Sequence, residues 1–317
     1  MNISVKPYDE NDAEAWDAFC AGSLQATLLH TRRFLSYHGN RFLDRSLIIK
    51  QDGKWLGLFP AALNPQNESC VVSHPGITYG GVVHRGELRG EQMIAALNAI
   101  RYHYSMQSYR ELLYKAIPSF YHQAPAQDDL YALSRLGAER TRCDLSSTID
   151  LQHRLPVSQR RRRSFKKAIK AGVQIAAGHQ LLGQLWEVLT DNLARKHRTK
   201  PVHTYSEMAK LAELFPTSIE CIGGRLGQNL VAGVVLFETP TTYHCQYIAS
   251  SELGHEVSAL DLILEHCIAK ATQMNKRWFD FGISNESQGQ ILNQSLYQFK
   301  NEFGAGGAVH EFYQLNL

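Results

Sequence analysis

Four side chains in the C-terminal half of this sequence have the type and setting for proton and charge chemistry. His203 follows Pro201-Val202 and precedes a helix start; an imidazole with the ordinary pKa of about 6.5 can take a proton at neutral pH. Its plainer reading is a hydrogen-bonded loop histidine. Asp280 stands between Phe279 and Phe281 on an expected strand. An unpaired carboxylate there is costly, so it is either a paired structural group or a functional one. Tyr247 offers a phenol on another expected strand, in a position equally suited to core packing. Lys300 in FKNEFG reads as an exposed helix-end lysine or as a cation for a phosphate or an oxyanion.

Two further segments concern anions. Residues 242–249 (TYHCQYIA) form an expected strand that feeds the polar segment 250–256 (SSELGHE) and then a helix expected over 257–274. A strand–loop–helix junction of this kind aims unpaired backbone N–H groups and the positive end of a helix at whatever the loop holds. A plain βαβ crossover has the same outline. Residues 160–170 (RRRRSFKKAIK) carry +7, which leaves −4 on the rest of a chain whose net charge is +3. The charge is thus one local patch, formed by Arg160, Arg161, Arg162, Arg163, Lys166, Lys167 and Lys170, and general coating of nucleic acid is disfavoured. Phe165, Ala168 and Ile169 give this helix an apolar stripe, with Gly172 as its cap. Its outer face is either simply solvated or a contact for the phosphates of a ligand, tRNA or anionic lipid.

The elements that position these groups follow from periodicity and punctuation. Leu182, Leu185, Trp186, Leu189 and Leu193 mark a helix over 181–198. The link 199–203 (TKPVH) precedes a second helix whose start is a capping box of Thr204 and Glu207. Strands are expected at 218–222, 230–237, 242–249, 277–281 and 307–314, with a short helix before the last. The first half reads in the same order: strands near 46–50, 55–63, 69–73 and 77–84, a helix over 89–104, and a strand at 111–117. Gly57 and Gly233 open comparable strands. The pattern is a mixed α/β fold of two similar halves, 1–150 and 151–317.

A chain of 317 residues with 44% apolar and 20% charged residues can bury a sizeable core. It has no apolar run near the roughly 20 residues that span a bilayer, and its polar, acidic N-terminus is not a signal or transit peptide. Six scattered cysteines without a CxxC pair point away from disulfides and zinc and towards a reducing cytoplasm. No metal is expected. Cys245 as a nucleophile lacks a matching His and acid, and Asp261 reads as compensation of a helix dipole.

The motifs QYIASSELG (246–254), ALDLIL (259–264), FDFGISNE (279–286) and LNQSLYQFKNEFGA (292–305), with PVH at 201–203, resemble the Fem-like branch of the GNAT acyltransferases, met among the N-acetyltransferases of surface polysaccharide clusters. HPGITYGG (74–81) and YKAIPSFYH (114–122) resemble the same family's N-terminal domain. The resemblance implies two tandem GNAT-like domains and acyl transfer to an amine. The donor is then acetyl-CoA or another acyl-CoA, gripped by Gln246, Ile248, Ser250, Ser251, Gly254, His255 and Ser258. His203 is then the first choice of general base, Asp280 the second, Tyr247 a proton donor to the leaving thiol and Lys300 an oxyanion or acceptor contact. An amino sugar of a cell-surface glycan is the implied acceptor. Larger Fem enzymes use aminoacyl-tRNA and carry a coiled-coil insertion that this sequence lacks; transfer from aminoacyl-tRNA is the alternative, and a non-catalytic scaffold the third. The donor loop departs from the family pattern, because Gly254 has no second glycine after it and Glu252 and Glu256 would repel a pyrophosphate.

Overall fold

The computed structural model describes residues 3–197 and 201–317. Arg198 at the end of the expected helix, and Thr199 and Lys200 of the link, lie outside the described residues. The chain divides into two compact units: residues up to Asp144 with 287–289 and 309–317, and residues 145–286 with 290–308. The division thus falls at Asp144, and the end of the last strand returns to the first unit.

The first unit contains β1 (Ile3–Pro7), α1 (Ala13–Ala21), α2 (Arg32–Leu35), β2 (Leu47–Gln51), β3 (Lys54–Phe59), β4 (Ala62–Asn64), β5 (Asn67–Val72), β6 (Val83–His84), α3 (Glu91–Met106), β7 (Glu111–Lys115), α4 (Asp128–Arg135) and the start of β8 (Glu139–Asp150). One antiparallel sheet runs β1-β2-β3-β6. In a second set of strands, β5 pairs parallel to β7 and antiparallel to β4. Leu47, Phe59, Val71, Leu97, Ile100 and Leu112 share its buried core.

Where β5 and β7 part, the chain itself fills the gap. Pairing ends at Val72–Leu113. Ser73 N then donates to Leu113 O, Lys115 N donates to Ser73 Oγ, and Gly80 N donates to Lys115 O. A Cβ at Gly80 would lie 2.0 Å from the Ser73 carbonyl oxygen, so only glycine lets these two backbones approach. Residues 73–80 therefore fold back across the strand ends. For that reason the strand expected over 77–84 shrinks to β6, Val83–His84.

The second unit continues with α5 (Gln159–Lys170), β9 (Gln174–Ala177), α6 (Leu182–His197), α7 (Tyr205–Leu214), β10 (Ile219–Leu226), β11 (Asn229–Glu238), β12 (Thr242–Ser250), α8 (Glu252–Glu256), α9 (Ala259–Gln273), β13 (Trp278–Ile283), β14 (Asn285–Glu286), β15 (Ile291–Leu292), α10 (Gln294–Asn301) and β16 (Gly306–Asn316). Its sheet order is β8-β13-β12-β11-β10-β9, antiparallel except for the parallel pair β12–β13. Helix α9 buries Leu260, Ile263, Leu264, Cys267, Ile268 and Ala271 against it. Fully burying each such side chain stabilises the fold by roughly 1.5–3 kcal/mol for the larger ones. The Thr204–Glu207 capping box forms as its spacing predicts.

Two local expectations need correction. The segment expected as a loop over 250–256 folds as α8, capped by Ser251, and α9 starts separately after Ser258, whose φ is +60°. In α5, Ala168 is buried but Ile169 is 54% exposed, so the apolar stripe is narrower than its sequence suggests.

Candidate active site

The site grows from one irregularity in β12. Residues 247–250 pair with β11 in one register and 243–245 in another, so Gln246 is an extra residue, a β-bulge. On its other side β12 pairs with β13 only from Thr242–Trp278 to His244–Asp280. Beyond that point β12 runs on to Ser250 and β13 to Ile283 without strand pairing between them. The result is a fork whose β12 edge, residues 246–250, presents backbone groups that no strand among the described residues takes up.

Behind the fork lies a cavity of about 380 Å³. Its wall takes Ile248, Ala249 and Ser250 from β12, Gly254 and His255 from α8, Ser258, Leu260 and Asp261 at the start of α9, Arg160, Arg161 and Ser164 from α5, Asn192 from α6, and Leu296 and Phe299 from α10. Five of the expected donor contacts, Ile248, Ser250, Gly254, His255 and Ser258, line it together. Ser251 does not: its Oγ accepts from Gly254 N and donates to Val231 O, which commits both groups to capping α8. Gly254 is required here for another reason, since a Cβ would lie 2.2 Å from the Val231 carbonyl oxygen. Glu252 and Glu256 are exposed and do not line the cavity, whereas two arginines of the basic helix do.

Arg161 is turned inward, contrary to the expected all-solvent cationic face. It is buried, donates to Asp261 Oδ1 at 2.8 Å and Glu302 Oε2 at 2.9 Å, and stacks on Phe299. Burial pushes the Asp261 carboxyl up despite this guanidinium. The arginine thus anchors α5 to α9 and α10 while Arg160, Arg162, Arg163, Lys166, Lys167 and Lys170 remain exposed.

At the tip of the fork sits a cluster of polar groups. Asp280 is fully buried and accepts from Ser146 Oγ at 2.5 Å, Thr148 Oγ1 at 2.8 Å and His244 Nδ1 at 2.7 Å. Lys300 Nζ donates to the carbonyls of Gly282 (2.9 Å) and Ile283 (2.7 Å) in the diverging end of β13. Burial pushes its pKa down to about 8, with Asp280 opposing. Lys300 is therefore a buried clamp on β13, where the sequence suggested an exposed helix end or an oxyanion contact. Cys245 is buried and its thiol pKa is pushed well up by burial, which removes it as a nucleophile.

His203 and Tyr247 meet on the other side of the bulge. His203 Nδ1 lies 2.5 Å from the Tyr247 hydroxyl, and His203 N donates to the same oxygen at 3.2 Å. Trp186 Nε1 donates to the His203 carbonyl. Burial pushes the Tyr247 phenol up to about 12, so it stays protonated at neutral pH.

The residue that sequence reasoning missed is His244. Nothing in TYHCQYIA singles it out. Only the parallel register, which places it beside Asp280 across 36 residues of chain, reveals the pair.

Comparison with known proteins bears on the fold. Residues 157–300 match the family model described as an acetyltransferase (GNAT) domain. No curated protein matches the chain by sequence. Among solved structures, FemX superposes with a TM-score of 0.70 at 12% identity, covering 100% of this chain and 98% of that one. L-PGS from Bacillus licheniformis gives 0.63 at 11% identity, with 96% and 91% covered. A tandem GNAT protein from the clavulanic acid biosynthesis pathway gives 0.54 at 12% identity, with 99% and 98% covered. At such identities the likeness speaks for the fold. The domain match adds that residues 157–300, mostly in the second unit, are similar to the GNAT acetyltransferase domain.

Proposed function

We propose that the second unit transfers an acetyl or other short acyl group from CoA to the amine of an amino sugar or a related precursor of a cell-surface glycan, in the cytoplasm. The observation that supports the donor most is the β12–β13 fork opening beside a cavity with Arg160 and Arg161 in its wall. Backbone groups of 246–250 take the pantetheine amides, and Ser250, His255, Ser258 and the arginines take the phosphates. The acceptor class follows from the family resemblance alone.

The amine attacks the thioester carbon directly, so no covalent enzyme intermediate is needed. The chain must place the donor, stabilise the oxyanion and manage two protons. Tyr247, held by His203, protonates the leaving thiolate. Lys300 positions the β13 arm of the fork by holding its carbonyls.

Transfer from aminoacyl-tRNA is the second reading. It is favoured by the six exposed cations of α5, which could hold an RNA backbone. Thermal unfolding with acetyl-CoA, CoA and bulk tRNA at two salt concentrations separates the two. A rise in Tm with CoA supports the first. Salt-sensitive stabilisation by tRNA, with no response to CoA, contradicts it.

A further inference from the structure

The Asp280–His244 pair has a geometry that the assigned roles do not use. We infer that His244 is the general base of the acyl transfer and that Asp280 is its positioning residue. This rests on the proposed acyl transfer and names the group that takes the proton from the attacking amine.

The argument is one of tautomer and place. Asp280 is fully buried, and its Oδ1 is occupied by Ser146 and Thr148 while its Oδ2 faces His244 Nδ1 at 2.7 Å. A carboxylate can only accept, so Nδ1 must carry the proton. The basic lone pair of neutral imidazole then lies on Nε2, the logic by which a buried acid orients a catalytic histidine. The His244 side chain keeps 13% of its surface exposed, whereas Asp280 has none. The pair also stands where the parallel ladder ends, so the imidazole belongs to the last rung before the fork.

Other polar groups meet the same pair. Asp280 on β13 compensates an imidazolium. Lys300 on α10 and the thiol of Cys245 act on that same carboxylate, and the Lys300 ammonium is already engaged by two carbonyls. A Cβ at Gly282, whose φ is +78°, would stand at ordinary contact distance, 3.5 Å, from His244 Cε1.

The step balances. The amine nitrogen forms a bond to the acyl carbon, and its proton passes to His244 Nε2. The carbon–sulfur bond breaks, and the leaving thiolate takes a proton from Tyr247. The imidazolium then returns its proton through solvent to reprotonate Tyr247.

The decisive variant is His244→Asn, whose amide keeps a donor for Asp280 but has no basic nitrogen. With acetyl-CoA and hydroxylamine as probes and thiol release as readout, kcat falls by about 10²–10⁴-fold. KM for acetyl-CoA and Tm stay within error, and the rise of rate with pH on the acid side disappears. Asp280→Asn lowers kcat as well and shifts the ring towards the other tautomer, read by ¹⁵N NMR of the imidazole. Unchanged turnover in His244→Asn, or a lower rate with the wild-type pH profile, overturns the inference. So does a wild-type ring whose lone pair sits on Nδ1, a measurement that needs no substrate. Wild-type protein that releases no thiol contradicts the acyl-transfer reading instead.

Discussion

Both units contain a parallel strand pair that separates at one end, and they treat the separation in opposite ways. In the first unit β5 stops at Val72, and residues 73–80 turn back into the gap and pair with it. In the second, β12 continues six residues past its last β13 partner with a bulge at Gln246, and among the described residues no segment of its sheet closes the gap. Each gap is braced by a buried lysine that donates to two carbonyls, Lys115 to His74 and Ile77 and Lys300 to Gly282 and Ile283. The same plan thus gives one sealed and one open end. Local backbone chemistry decides which: the close approach at Gly80 seals, and the bulge opens.

The largest effect is expected where the open end is anchored. Arg161→Met leaves Asp261 and Glu302 without their buried guanidinium, and costs about 3–5 kcal/mol in urea unfolding. Arg32 in the first unit pairs with Asp44, which is 43% exposed and can be solvated alone. Arg32→Met should cost about 1 kcal/mol. Equal losses would remove this contrast between the units.

Glycine contacts come next. Gly80→Ala and Gly254→Ala each force a Cβ against a carbonyl, at 2.0 and 2.2 Å, and each should cost about 1–3 kcal/mol. Only Gly254→Ala, in the cavity wall, should also weaken acetyl-CoA binding in a calorimetric titration. Loss of binding in Gly80→Ala would argue that the sealed end matters for the donor.

The two lysines give a pH-dependent contrast. Burial pushes Lys115 down to about 7 and Lys300 to about 8. From those values up to the ordinary lysine pKa of about 10.4, the unfolded chain binds more protons than the folded one. Each lysine therefore makes stability rise with pH across its window, by at most about 3–5 kcal/mol, and this contribution is lost as pH falls through the folded pKa. In denaturation series, Lys115→Met should flatten the rise from about pH 7 and Lys300→Met only from about pH 8.

Much of the second unit was legible in sequence because its signals are local. The Leu182–Leu189 stripe, the Thr204–Glu207 box and the glycines between strands each act within a few residues. The open fork was not legible, since a bulge is a mismatch between two strands and neither strand shows it alone. Three expected site residues acquired partners that only tertiary structure supplies: Asp280 meets Ser146 and Thr148 from β8, a strand that the sequence reading did not anticipate, Tyr247 meets His203, and Lys300 meets the β13 carbonyls. In the first unit 77–84 read as a strand, whereas the backbone of 73–80 bonds to β7 without forming a regular strand.

Amide hydrogen exchange with and without acetyl-CoA tests the central contrast most directly. Residues 246–255 should gain protection on binding, and residues 73–82 should be unchanged. Protection confined to 73–82, or saturating acetyl-CoA that slows no amide of β12 and α8, would contradict the open fork as the acyl-donor site.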